Sequence, residues 1–112
     1  MEDRNTVRIR PPHGQATGDR NANVRTATAV ASTAAIAVSS NMPTGGGLWI
    51  TMICTAACRI RFGDSTVGAA TASDHLIPAN TYVQYWCHSV FETHFRVIRD
   101  SADGLLDHYV SE

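Results

Sequence analysis

The fold is decided by one stretch of the sequence, Leu48-Trp49-Ile50-Thr51-Met52-Ile53. Its branched and aromatic side chains favour a β-strand. Successive side chains of a strand point to opposite faces, and here both faces carry apolar residues. The stretch therefore predicts a strand that lies in the centre of a sheet or is covered by a partner.

Further strand-like segments lie on either side of this stretch. In Arg59-Ile60-Arg61-Phe62 the alternation points Ile60 and Phe62 inward and places the two arginines on one outer face. The turn Pro78-Ala79-Asn80 is expected to hold Asn80 in a left-handed backbone conformation. The other predicted strands cover residues 24–31, 35–39, 75–77, 81–87, 93–99 and 105–110.

Together these segments make about seven or eight short strands, spaced about 8–12 residues apart with turn signals between them. The Ala-rich stretch 27–37 could be helical on propensity alone, but its Thr, Val and Ile residues are β-branched and alternate. The sequence therefore predicts an all-β fold, an antiparallel β-sandwich of the jelly-roll kind.

The first 23 residues differ in composition from the rest. Val7 and Ile9 are almost their only large apolar side chains, and Pro11-Pro12 favours an extended backbone path. Such a segment cannot bury enough apolar surface to fold alone. We therefore expect residues 1–23 to form an extended N-terminal arm and residues 24–112 to form the β-sandwich domain.

Composition limits the classes of partner. The chain has 112 residues, which fits one domain, and its net charge of −1 gives no field that attracts nucleic acid. All nine basic residues are arginine, a bias that suits protein interfaces and that a GC-rich genome would also explain. No apolar run reaches the length of about 20 residues that a membrane helix needs, and no secretory leader is evident. We expect synthesis in a cytosol, reduced cysteines, and neither nucleic acid nor membrane as partner.

Residues suited to chemistry are few. Cys54, Cys58, Cys87 and His88 are zinc-ligand types, but adjacent residues of a strand point to opposite faces, which separates the last two. Cys54 and Cys58 are expected to flank a hairpin loop, Thr55-Ala56-Ala57, either as opposed buried thiols or as a pair that oxidises late, outside the cell. We expect no catalytic residue, no metal site and no cofactor.

Features that suit an interface are more numerous. Trp49 and Trp86 each lie on a predicted strand beside oppositely facing apolar residues, so each is either an interface anchor or part of the core. Arginines on the arm and on the outer strand faces could flank them. The candidate interface residues are Arg4, Val7, Arg8, Ile9, Arg10, Trp49, Arg59, Arg61, Trp86 and Arg96.

The middle of the chain resembles small structural proteins of phages and prophages. The matching segments are Arg61-Phe62-Gly63-Asp64-Ser65, Ala70-Thr71-Ala72-Ser73-Asp74 and Leu76-Ile77-Pro78-Ala79-Asn80-Thr81. In such proteins the turn commonly reads Leu-Pro-Ala-Gly-Thr, so Asn80 stands where glycine is usual. The plan of a polar arm followed by a compact sandwich is similar to the decoration (cementing) proteins of short-tailed phages of the epsilon-fifteen type.

This resemblance implies a virion structural protein without catalytic residues. It would be made in the host bacterial cytoplasm and would sit on the outer capsid surface, where it clamps neighbouring copies of the major capsid protein, often as a homodimer. The alternative is a glycan- or receptor-binding module of a head fibre or tail.

Overall fold

The computed structural model describes residues 23–111, so the predicted arm lies outside the described residues except for Asn23. The described chain is all-β, as predicted, and contains eight strands and no helix. The strands are β1 (Val24–Thr28), β2 (Ile36–Ala37), β3 (Gly47–Cys54), β4 (Cys58–Gly63), β5 (His75–Ile77), β6 (Val83–His88), β7 (His94–Arg99) and β8 (Gly104–Ser111).

The strands form two antiparallel four-stranded sheets. The front sheet has the order β1-β8-β3-β6, and the back sheet has the order β2-β7-β4-β5. The sheets pack face to face, since the Phe62 ring of β4 lies 5.0 Å from the Tyr85 ring of β6, and the Phe95 ring of β7 lies 5.0 Å from the His108 ring of β8. Only β4 and β5 are neighbours both in sequence and in one sheet.

Strand β3 occupies the central position that its apolar pattern predicts. It pairs with β8 on one side and with β6 on the other. Its inward residues Ile50 and Met52 are fully buried, whereas Trp49 on the outer face is 48% exposed. The apolar residues on both faces of this strand had a second explanation, in which a partner covers the outer face. That explanation applies to Trp49 and its neighbours on the outer face.

The predicted hairpin between Cys54 and Cys58 is wrong, because the chain here crosses from one sheet to the other. Cys54 ends β3 in the front sheet and Cys58 begins β4 in the back sheet. Thr55 directs the crossing: its N–H donates to the Leu105 carbonyl at 2.9 Å, and its hydroxyl accepts the Leu105 N–H at 2.9 Å. The prediction of buried thiols is confirmed, and burial raises the pKa of Cys58 to about 12.

Two predicted strands are shorter than expected. The first ends at Thr28, because the chain changes sheet: the next carbonyl, that of Ala29, accepts the Arg99 N–H at 3.0 Å, which leads the chain to the back sheet. Thr33 then bonds to β7: its N–H donates to the Val97 carbonyl and its hydroxyl accepts the Val97 N–H. The second predicted strand, 35–39, is reduced to Ile36–Ala37, although the next N–H, that of Val38, still donates to the Thr93 carbonyl at 2.9 Å.

The turn at Asn80 has the predicted conformation. Its φ is 56°, in the left-handed region, and its N–H donates to the Cys54 carbonyl at 2.7 Å. An isolated parallel bridge joins Cys54 to Ala79. The turn therefore fixes the passage from β5 in the back sheet to β6 in the front sheet.

The outer face of the back sheet is held by three arginines. Arg59 and Arg61 of β4 both bond to Asp74: the Arg61 Nε lies 3.0 Å from the carboxylate, and Arg59 donates to the backbone carbonyl at 3.2 Å. Arg59 also pairs with Asp100 at 3.1 Å. Burial alone would raise the pKa of Asp74, but hydrogen bonds from the Thr71 backbone and from Arg61 lower it.

Arg96 of β7 lies directly opposite Arg61 and fastens two loops. Its Nε donates to the Thr33 carbonyl at 2.6 Å, and its Nη1 donates to the Val67 carbonyl at 3.2 Å. The alternation pattern correctly predicts an outer face for these arginines. What it does not reveal is that each of these arginines already donates hydrogen bonds to partners within the protein itself.

We expect Arg96→Ala to lower the free energy of unfolding by about 1–3 kcal/mol, because two carbonyls lose a charged donor. Urea denaturation followed by fluorescence measures this. The control is Arg25→Ala, whose exposed pair with Asp107 at 2.8 Å is screened by solvent and should contribute far less to the free energy of unfolding than Arg96 does. Equal losses in the two variants would contradict the role assigned to Arg96.

A histidine lies inside the core. His108 is 1% exposed and meets the Phe95 ring edge-on across the two sheets. Burial lowers the pKa of His108, against the opposing effects of a hydrogen bond with the Ala37 backbone and of the Asp107 charge. The fold is therefore built around a neutral imidazole.

This burial predicts acid sensitivity near neutral pH. The unfolded chain takes up a proton at the ordinary histidine pKa of about 6.5, whereas the folded chain resists it. Stability is complete above that pH and falls as the pH decreases below it, by up to about 1.4 kcal/mol per pH unit for one proton. Denaturation at about pH 7 and about pH 5.5 should show this loss of stability in the parent but not in His108→Leu. The control is His75→Leu, which alters an exposed histidine and should lose stability as the parent does. An unchanged loss in His108→Leu would rule His108 out as its source.

Candidate interaction surface

The outer face of the front sheet carries a group of aromatic side chains. We call it the aromatic face and define it by Trp49, Trp86, Tyr82 and Tyr109 with the polar residues between them. Trp49 of β3 and Trp86 of β6 lie directly opposite each other, with ring centroids 5.5 Å apart and ring planes at 63°. Each is 48% exposed, so neither belongs to the core.

Gly47 makes room for this pair at the start of β3. A Cβ atom at this position would lie 3.1 Å from the Trp86 side chain and would overlap the Cys87 carbonyl oxygen. The absence of a side chain thus lets the Trp86 ring lie close to the neighbouring strand. Gly47 is accordingly the first residue of β3 and part of the sheet.

Polar groups occupy the middle of the face. Gln84 of β6 lies opposite Thr51 of β3, and its Nε2 lies 3.3 Å from the Thr51 hydroxyl and 3.3 Å from the Ser111 hydroxyl. Tyr109 lies opposite Thr51 on the other side. Burial raises the pKa of Tyr109, as does its proximity to Tyr82, while a hydrogen bond with Thr51 lowers it. These contacts link β6, β3 and β8 through side chains in the middle of the aromatic face.

The two borders of the face differ in character. On the β1 side, Arg25 and Asp107 form a two-point ion pair, with distances of 2.8 Å and 3.1 Å. Beyond the end of β6, the Phe91 ring lies 4.8 Å from the ring of His88, and Phe91 is 69% exposed. The face thus combines apolar anchors with a neutralised charge pair at one border.

The predicted interface residues are distributed over both sheets. The structure brings Trp49 and Trp86 together but places Arg59, Arg61 and Arg96 on the outer face of the opposite sheet, with partners of their own. Whether those arginines also meet a partner stays a prediction. The predicted arm residues Arg4, Val7, Arg8, Ile9 and Arg10 lie outside the described residues.

The sequence interpretation did not identify Tyr109, Gln84 and Phe91 as part of an interface. Tyr109 could have been found from alternation, because its neighbours His108 and Val110 are both buried and it must point the other way. Phe91 lies in a loop, where alternation gives no signal.

Other kinds of site have little support in residues 23–111. Within that range no three His, Cys, Asp or Glu side chains are grouped so that they could hold a metal ion. Cys87 is buried whereas His88 is half-buried on the outer face, the opposite orientations that their adjacency predicts. The same range contains no helix with the length and hydropathy to cross a membrane.

Comparisons with known proteins find no relatives. The chain matches no protein-family model, no curated protein and no solved structure. The aromatic face is therefore the feature from which a function can be proposed.

Proposed function

We propose that this chain is a non-enzymatic virion structural protein that binds the outside of a phage capsid and stabilises contacts between neighbouring major capsid proteins. The observation that carries the proposal is the aromatic face, where Trp49 of the central strand β3 and Trp86 of the edge strand β6 lie opposite each other and are both half-exposed. Tryptophan and tyrosine are enriched among the residues that dominate protein–protein binding energy.

The setting of these rings suits a protein partner. They are mounted on a hydrogen-bonded sheet, so little conformational freedom is lost when they are covered. Around them, Gln84, Thr51 and Tyr109 supply donors and acceptors, as the polar parts of interfaces do. The Arg25–Asp107 pair leaves the β1 border without excess charge, which favours a partner surface of mixed polarity over a highly charged one.

The order of the strands supports a jelly roll as the finer description of the fold. An eight-stranded jelly roll consists of two sheets joined as two Greek keys, and it is common in viral capsid and lectin domains. The orders β1-β8-β3-β6 and β2-β7-β4-β5 are compatible with this plan. Together with the resemblance of residues 59–81 to phage structural proteins, this favours a role in the virion.

The remaining parts of the proposal follow from that resemblance. The partners are the major capsid protein and a second copy of the chain, and the location is the outer capsid surface after synthesis in the host bacterial cytoplasm. No catalytic residue, cofactor or metal is included. The arm, residues 1–23, provides a second contact with the shell.

A glycan- or receptor-binding module of a head fibre or tail is the second candidate. The exposed Tyr82 and Trp86 with the adjacent Gln84 amide favour it, since such groups can contact sugar rings and hydroxyls. However, Trp49 and Trp86 are inclined by 63°, so they do not form one flat platform on which consecutive sugars could stack. Binding to a glycan array that is lost in Trp86→Ala would favour this candidate over the capsid.

For the capsid role, we expect the double variant Trp49→Ala/Trp86→Ala to bind shells at least about 30-fold more weakly, because central aromatic anchors contribute about 2 kcal/mol or more. Co-sedimentation with shells assembled from the major capsid protein of the encoding phage measures this. Leu76→Ala, which removes an exposed apolar side chain from β5 of the opposite sheet, serves as the control and should bind like the parent. Parent-like binding of the double variant, with its fold intact by circular dichroism, would exclude the aromatic face as the capsid contact.

For the arm, we expect deletion of residues 1–22 to abolish shell binding while the sandwich stays folded. The deletion removes a polar segment that has too little apolar surface to contribute to the core. The same co-sedimentation assay with a thermal melt of the truncated chain measures both properties. If the truncated protein binds shells as tightly as the full chain, the arm has no part in attachment.

A further inference from the structure

The two outer edges of the front sheet are unequal. Strand β6 is six residues long and contains no proline and no Asp, Glu, Lys or Arg. Proteins normally protect such an edge with charge, proline, a bulge or a very short strand. The back-sheet edges are short, with two residues in β2 and three in β5, and β1 carries Arg25, but β6 has none of these protections.

The register shows which backbone groups β6 presents at this edge. The Ser89 N–H donates to the Gly46 carbonyl at 2.9 Å, at the position that continues the pairing of His88 with Gly47. Hydrogen-bonded and non-hydrogen-bonded pairs alternate in an antiparallel ladder. The backbone N–H and C=O groups of Val83, Tyr85 and Cys87 therefore point to β3, whereas those of Gln84, Trp86 and His88 point away from it.

One of these three positions is already occupied. The His88 N–H donates to the Glu92 carboxylate at 2.9 Å, and the His88 carbonyl accepts the Glu92 N–H at 3.0 Å. No strand within residues 23–111 pairs with the outer side of β6. Gln84 and Trp86 thus present two donors and two acceptors on an uncharged strand.

We propose that β6 pairs antiparallel with β6 of a second copy of this chain, about a two-fold axis at Tyr85. Gln84 of each copy then lies opposite Trp86 of the other, and four main-chain hydrogen bonds join the two front sheets into one of eight strands. The arrangement is isologous: each copy uses the same edge, so pairing ends at the dimer and forms no fibre.

The occupant is a second copy because the edge is complementary to itself. Two donors and two acceptors that alternate along a strand match the same set in an antiparallel copy. No like charges are opposed, because β6 has no Asp, Glu, Lys or Arg and the two Glu92 carboxylates, each bound at His88, lie at opposite ends of the pairing. Pairing would also make the two aromatic faces continuous, since Trp86 of one copy would lie beside Gln84 of the other. The inference specifies the surface of the homodimer in the proposed function, and it does not depend on capsid binding.

Hydrogen exchange on the full chain tests the proposed bonds directly. We expect the amide protons of Gln84 and Trp86 to become at least about tenfold more protected as the protein concentration rises through the dimerisation range, because only the dimer pairs them. The Val83, Tyr85 and Cys87 amides, paired with β3, are the internal reference. Fast exchange of Gln84 and Trp86 at all concentrations would overturn the proposal, as would protection independent of concentration, which would mean that the chain's own N-terminal segment covers the edge.

Two matched proline variants test the same edge through the mass of the protein measured by sedimentation. Gln84→Pro removes one outward N–H, a change that an edge strand tolerates, and we expect it to shift the sedimentation mass from twice 12.1 kDa to the monomer value. Ala27→Pro makes the equivalent change on β1, where the register also turns the N–H outward, and should stay dimeric. If Gln84→Pro is still a dimer, the β6 interface is wrong but the proposed homodimer stands. If the parent chain is a monomer at every concentration, both are wrong. Neither outcome affects the shell-binding test of the aromatic face.

Discussion

The burial of one face of each sheet is the constraint on which the rest of this structure depends. Ile50 and Met52 fill the space between the sheets, and because side chains alternate along β3, Trp49 must point outward. The same rule places Trp86 outside, since Cys87 beside it is buried. A shift of one residue in register would bury both indoles and expose the core residues, so the aromatic face and the core are two consequences of one register.

Local patterns carried enough information for the class of fold and for part of its detail. Alternation located the strands around Ile60, Phe95 and Val97, and the conformational preference of asparagine located the turn at Asn80, because both signals depend on near neighbours only. The path between Cys54 and Cys58 could not be predicted in this way. It depends on Leu105, about fifty residues away in the chain, which binds Thr55 and draws the connection out of a hairpin.

The sequence likewise predicted part of the candidate interaction surface but not all of it. The sequence left Trp49 and Trp86 as either anchors or core, and the burial of their strand neighbours Ile50 and Cys87 decides that both point outward. The outer positions of Arg61 and Arg96 followed from alternation, but their bonds to Asp74 and to the Thr33 carbonyl join segments that no local pattern connects. The sequence placed the tryptophans and the arginines in one candidate interface, and the structure shows that they lie on two separate surfaces. One is an aromatic layer with exposed rings, and the other is a set of arginines that hold the loops of the back sheet.

The connectivity also sets the order in which the chain can fold during synthesis. Within residues 23–111, β1 pairs only with β8, which in turn separates it from β3, so β1 has no strand partner in that range until β8 has left the ribosome. Until then β1 and β3 lack β8, the strand that lies between them in the sheet. Among the described strands, β4 and β5 are the one pair consecutive in sequence that can pair with each other early. Such non-local pairing makes folding slow and leaves apolar strands uncovered for longer. A high rate of translation or a ribosome stalled before β8 should therefore divert this chain toward aggregates or chaperones, even though the finished domain is well packed.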